Sequence, residues 1–234
     1  MLSYSDKLHP FLKDCLKVGC LKGFKHFSLY LRGREELVVT VQNGNEPHNT
    51  AAGTPAASLA RTDSGNILDM PPASPLPSTP GSALGKPVTV YLIGGYARYK
   101  CPFVWLRSPS QRLVSSDMES PLKLSTTDRW PKAPSSVKVW DIIAELVDMT
   151  TRPVPVNPFE IDEEYFLSLD PFDRCLATAA SVNFLRKLFI ANYVFADAVL
   201  EDLRVLLQWH FEDVPAVIPV RARTDADDAE ADTP

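Results

Sequence analysis

An α+β fold is the class this sequence predicts, on three observations. Short apolar runs with strand alternation come in two pairs, within residues 25–42 and 87–106. Amphipathic helical patterns stand before the first pair and after the second, and two longer helical patterns follow from Pro171. Strands gathered together with helices at their flanks make an antiparallel sheet with helices segregated to one side or end.

Taken in order, Leu8, Phe11, Leu12, Cys15 and Leu16 recur at helical spacing from Ser5 to about Val18, with Ser5 or Asp6 as cap and Pro10 tolerable only near the first turn. Lys25 to Arg32 alternates with Phe27, Leu29 and Leu31 on one face, and Gly33 to Glu36 turns into a second strand, Leu37 to Gln42. The stretch from Asn43 to Lys86 is rich in Pro, Ala, Ser, Thr and Gly and poor in aromatics, so it cannot offset a backbone entropy of roughly 1–2 kcal/mol per residue and is expected to be disordered. Strands follow at Pro87–Ile93 and Cys101–Leu106. A lone hairpin on either side of the low-complexity stretch would be marginal in water, so the four strands form one meander and residues 43–86 are an insertion between the second and third.

Beyond the sheet, residues 121–131 read as an irregular run ending in Trp130-Pro131, and Val139, Ile142, Ile143 and Leu146 form the stripe of a helix from about Ser135 to Met149. Pro153, Pro155 and Pro158 forbid a helix over 150–158, and a short helical turn fits 162–169. Asp170 caps a helix with Pro171 at its first position and Cys175, Leu176, Ala179, Val182, Leu185 and Leu188 at helical spacing to about Asn192. Asp197 is placed to cap a second helix through Leu200, Leu203 and Leu207 to Phe211, and the short turn between makes the two an antiparallel hairpin. Three regions result: 1–160, a hairpin over 161–213, and an acidic tail at 214–234 that is expected to be disordered.

Composition narrows the function. With 234 residues, 45% hydrophobic and 23% charged, a net charge of −5 and no basic stripe, the chain is of the soluble globular class, and nucleic acid is not expected as its partner. The cysteines, Cys15, Cys20, Cys101 and Cys175, form no CxxC pair, which argues against a zinc site or a disulfide framework and for a reducing compartment. Residues 1–23 fit neither a signal peptide nor a membrane span, so a cytoplasmic protein is expected, meeting a membrane only indirectly. His9, His26, His48 and His210 show no metal-ligand spacing or acid pairing; no metal or cofactor is expected, and a Cys–His enzyme is the weakest reading.

A helix, a four-stranded meander, a run closing on Trp130-Pro131 and a crossing helix together resemble the ubiquitin-conjugating-enzyme fold. Tyr96–Pro102 is similar to the strand end of active members, and the resemblance sets the nucleophilic cysteine near Leu122. No cysteine lies between Cys101 and Cys175, and thioester chemistry needs a thiolate at that place. The resemblance therefore implies a UEV domain, the inactive variant that binds ubiquitin, and no enzyme. Its pairing with a helical hairpin, opened by Pro171–Leu176 and continued by Asp197–Leu207, resembles the tumour-susceptibility subunits of ESCRT-I and their steadiness box.

That resemblance implies an adaptor of endosomal sorting at the multivesicular body, a protein-transport role. Tyr91 and Trp105 would face ubiquitin, with ordinary core as the alternative; Leu113, Pro153, Val154, Pro155 and Val156 would wall a groove for Pro-rich peptides, with a structural turn as the alternative. Phe172, Leu176, Leu200, Leu203 and Leu207 would dock other ESCRT-I-like helical subunits. The chain departs from the family in having Leu84 and Gly85 where groove tyrosines stand, and in lacking a coiled-coil stalk. The rival reading is a non-catalytic cofactor that directs chain linkage by an active conjugating enzyme, with 171–211 as the usual C-terminal helices of that fold.

Overall fold

The computed structural model describes residues 4–44, 87–96, 101–108, 120–133 and 136–217, with no side-chain account of 4–7. The greater part of the expected insertion, 45–86, lies outside them, as do Leu113 and residues 218–234. The chain divides into two compact units, 1–161 and 162–234.

The first unit opens with α1 (Tyr4–Val18), which starts one residue before the expected Ser5 and carries Pro10 beyond its first turn. Strands β1 (Phe27–Arg32), β2 (Glu36–Gln42), β3 (Val88–Gly94) and β4 (Phe103–Leu106) form an antiparallel sheet in the order β1-β2-β3-β4, so the meander is as the sequence predicts. Gly33 makes the β1–β2 turn with φ +70°, a conformation that favours glycine. Its register pairs Leu29 with Val39, Val39 with Tyr91 and Tyr91 with Leu106, which puts these four on one face. Against β2 lies α3 (Val139–Thr150), which also meets α1; its Ile142, Ile143, Leu146 and Val147 are fully buried.

Two local features depart from the sequence expectations. Within the run expected to be irregular, Ser125–Arg129 forms a short helix, α2, because the Glu145 carboxylate on α3 accepts hydrogen bonds from Ser125 N (2.7 Å), Thr126 N (3.0 Å) and Thr126 Oγ1 (2.6 Å). The crossing helix starts later than expected, at Val139, where Asp141 Oδ2 accepts from the Lys138 N–H at 2.7 Å. Trp130 is buried and meets the Phe11 ring edge-on at 5.2 Å, fastening the end of this run to α1.

The first unit closes on a strip of chain laid back beside β1. Phe24 bridges Ile161, Lys25 N donates to Glu160 O at 2.9 Å, and the rings of Phe24, Phe27 and Phe159 pack together.

The second unit contains α4 (Glu163–Leu167), α5 (Pro171–Ile190) and α6 (Ala196–Val217). Asp170 Oδ1 caps α5 by accepting from Phe172 N and Asp173 N at 2.9 and 3.1 Å, with Pro171 at the first turn. Asn192, at φ 54°, ends α5 in the left-handed conformation, and the chain returns within a few residues. Helix α6 begins at Ala196, so Asp197 sits inside its first turn rather than capping it. The helix continues through Pro215 to Val217; residues 214–217 therefore belong to it and not to the expected tail.

Candidate functional site

The expected ubiquitin anchors are corrected by burial. Tyr91 and Trp105 are both 0% exposed and present no surface to a partner. Tyr91 lies on the face that meets α3, and its hydroxyl is 2.6 Å from Thr150 Oγ1, which in turn donates to Leu146 O at 2.7 Å; burial raises the phenol above its ordinary pKa. Trp105 lies on the opposite face with Val38, Val90 and Leu92, and Tyr96 and Phe103 pack against that cluster. The Tyr96 and Phe103 rings stand 6.2 and 5.9 Å from the indole, so this stretch of the outer face is core as well.

Surface on the sheet survives nearer β1. Ser28 and Tyr30 are exposed on the outer face and Thr40 and Gln42 of β2 are half-buried, with Val88 of β3 exposed beyond them. Tyr30 is the large ring the sheet offers to solvent, a residue the sequence reading passed over. Alternation alone could have found it, because Tyr30 occupies the face opposite Phe27 and Leu29.

Leu122 is half-buried at the end of the chain segment after β4, where its N–H donates to Val104 O at 2.7 Å; Leu124, two residues on, is buried. Cys101 is partly buried, and desolvation pushes its thiol above the ordinary value. Cys15 is buried in the core facing of α1, and burial with the neighbouring Asp14 charge pushes it up to about 12. Both shifts keep the thiol protonated at neutral pH, the inert state for nucleophilic or redox chemistry.

Of the groove residues, Pro153 and Val154 are exposed, Pro155 is half-buried and Val156 is 84% exposed, after a cis Arg152–Pro153 bond. They form a solvent-facing apolar ridge. Its root is fixed to the sheet, since Thr151 Oγ1 donates to Gln42 O at 2.8 Å, and a Cβ on Gly44 would stand 1.9 Å from Arg152 O. Leu113, the opposing wall, lies outside the described residues.

The hairpin divides the expected docking residues. Phe172 and Leu176 are exposed, Leu200 and Leu207 are half-buried, and Leu203 is buried in the seam between α5 and α6; its expected role at a surface is corrected accordingly. Phe211 and Ile190 are further exposed apolar side chains that the sequence reading did not single out.

Two polar clusters complete the inventory. In the first unit, Glu160 accepts from Lys25 Nζ and lies 3.0 Å from His26 Nε2. Burial alone would raise Glu160, but the hydrogen bonds from Lys25 and His26 hold it below the usual carboxylate value; burial lowers His26, with Glu160 opposing. In the second, Arg174 grips Asp213 with two hydrogen bonds of 2.6 Å, which drives that carboxyl down. One turn away, His210 Nδ1 lies 3.7 Å from Cys175 Sγ, 3.1 Å from Thr178 Oγ1 and 3.2 Å from Cys175 O. With its nitrogen shared among three neighbours beside a buried sulfur, this imidazole fastens the helix pair. Among the described residues no group of three or more His, Cys, Asp or Glu is arranged to hold a metal ion, and no helix is long and apolar enough to cross a membrane.

No curated protein and no solved structure matches this sequence. A family model does match, over residues 74–212, a span that begins before β3 and reaches the last turns of α6. On that match the chain belongs to the family described as Domain of unknown function (DUF7886).

Proposed function

We propose that this protein is a non-catalytic adaptor of the endosomal sorting machinery, an ESCRT-I-like subunit of the cytoplasm recruited to the endosomal membrane through its complex. The observation that carries the reading is the scaffold of the first unit: a four-stranded antiparallel meander, a helix before it and a crossing helix on its inner face, with Leu122 near the place of the expected nucleophile. A conjugating-enzyme scaffold without its thiol retains binding as its use.

In this reading the first unit binds ubiquitin or ubiquitinated cargo, and the outer face at exposed Tyr30 and Val88, with half-buried Thr40 between them, is the contact surface, an aromatic ring among small residues suited to an aliphatic patch. The Val154–Val156 ridge is a secondary contact for Pro-rich peptides. The hairpin docks partner subunits through the outer side of α5, where Phe172 and Leu176 stand exposed.

Titrating isotope-labelled ubiquitin with the full chain tests the assignment. Saturable chemical-shift changes are expected on the ubiquitin aliphatic patch, and Tyr30→Ala is expected to weaken binding about tenfold or more, a hot-spot loss. A titration with no shifts overturns the ubiquitin reading; wild-type affinity in Tyr30→Ala overturns the surface.

A further inference from the structure

One end of the outer sheet face gathers two guanidinium groups around a single carboxylate. The register sets Arg32, Glu36, Gly94 and Phe103 side by side in one row across the sheet, with Tyr30, Val38, Leu92 and Trp105 in the next. Alternation puts Arg107, two residues beyond Trp105, on the same face. A Cβ on Gly94 would stand 2.9 Å from Tyr96 Cε2 and 3.0 Å from Trp105 Cζ3, so the glycine lets both rings lie against the row. There the Tyr96 hydroxyl donates to Glu36 Oε1, and Arg32 Nε approaches Glu36 Oε2 at 3.3 Å.

Glu36 is thereby engaged at both oxygens. Arg107 faces the same group: burial draws its guanidinium below the ordinary value and the Arg32 charge adds to this, while Tyr96 and Glu36 oppose it. Among the described residues Glu36 is the carboxylate set against this pair of arginines, which leaves the cluster a net cation. Arg32 Nη1 is buried with no hydrogen-bond partner, and so is the indole Nε1 of Trp105 on the same face. Guanidinium and indole nitrogens donate and never accept, so each calls for an oxygen. Unmet donors of this kind are rare in folded proteins and mark a water or an ion. A water would meet the donors without balancing the charge, whereas an oxyanion does both.

We propose that Arg32 and Arg107 form a binding site for a small oxyanion, a phosphate or carboxylate group, at this end of the outer face. Their planar forks suit either group. Arg32, 28% exposed, and half-buried Tyr96 stand at the rim, so the anion comes to the guanidiniums from solvent. Glu36 acts in two ways: it holds Arg32 by Nε, which leaves Nη1 for the ligand, and its charge keeps the affinity low. The proposal does not rest on ubiquitin binding.

Calorimetric titration of the full chain tests it, with inorganic phosphate in one arm and acetate in the other, at an ionic strength held constant with sodium chloride. Saturable binding is expected, and the tighter of the two anions names the group that the site is built for. Arg32→Gln and Arg107→Gln are each expected to weaken that binding about tenfold or more. Glu36→Gln, which keeps both guanidiniums and removes the repelling charge, is expected to tighten it about fivefold or more. Circular dichroism on each variant checks that the fold is kept. No saturable binding of either anion by the wild type overturns the proposal, as does binding that a folded arginine variant leaves intact. Where neither arginine variant folds, Glu36→Gln decides: tighter binding supports the site, and unchanged or weaker binding overturns it.

Discussion

The two units differ in where their largest apolar side chains lie. In the sheet unit Tyr91, Trp105, Trp130 and Phe159 are all buried, on whichever face of the sheet they fall. In the helical unit Phe172, Leu176, Ile190 and Phe211 stand in solvent. A sheet covered on both faces makes core of both sides of its inner strands, whereas a helix pair encloses only its facing stripes. An aromatic residue on an inner strand is thus core, as Phe166 and Phe184 are within the helical unit, whereas Phe172 and Phe211, outside the facing stripes, are surface, as Tyr30 is on the edge strand.

The largest test of that contrast is Trp105→Ala. Removal of a fully buried indole is expected to cost about 3–5 kcal/mol in urea unfolding of the full chain. A cost below about 1 kcal/mol would mean that the ring is not core, and the contrast between the units would collapse. Next in size is Asp213→Ala, which strands Arg174 in the seam of the helix pair and is expected to cost about 3 kcal/mol, the low end for a buried pair because Arg174 keeps some water contact. Replacing both partners with apolar residues, as in Arg174→Met with Asp213→Leu, is expected to recover most of it. If the double variant is no better than the single one, the pair is holding more than each other.

The smallest effect separates the units by pH. His26 is held below its ordinary value near 6.5, so the stability it gives as a neutral ring is complete above that pH and declines as pH falls toward its folded value. Glu160, also depressed, contributes above its ordinary carboxylate range and is lost only as pH falls through its folded value. Asp213 likewise releases its contribution only under acid conditions. The first unit should therefore soften first, with its melting temperature dropping below about pH 6.5, and His26→Gln should flatten that part of the profile. Parallel profiles for wild type and His26→Gln would remove the Lys25–His26–Glu160 clasp from the account.

How far the sequence foretold this depends on the range of the forces involved. Strands β1 to β4 were legible because alternation and turn residues are local, as were the Asp170 cap and Pro171 that start α5. Helix α2 was not, because the group that caps it, Glu145, comes from another element. Trp105 stood open between a ubiquitin contact and ordinary core, because alternation assigns a residue to a face but is silent on what covers that face; Tyr96 and Phe103 pack there, and the ring is core. Tyr30 is open to the same periodic reasoning, since it alternates with Phe27 and Leu29 onto the outer face.

Consider finally the root of the stretch between β2 and β3. Asn43 N donates to Pro87 O at 2.9 Å, Thr89 Oγ1 donates to Asn43 Oδ1 at 2.7 Å, and Thr151 holds Gln42 from the other side. The two ends are clasped as tightly as those of a short hairpin, whatever length of chain departs and returns there. Closing a loop twice as long costs only about 0.6 kcal/mol more. Position 44–87 is then a port in the scaffold, and a foreign domain grafted there would inherit a ready-made anchor.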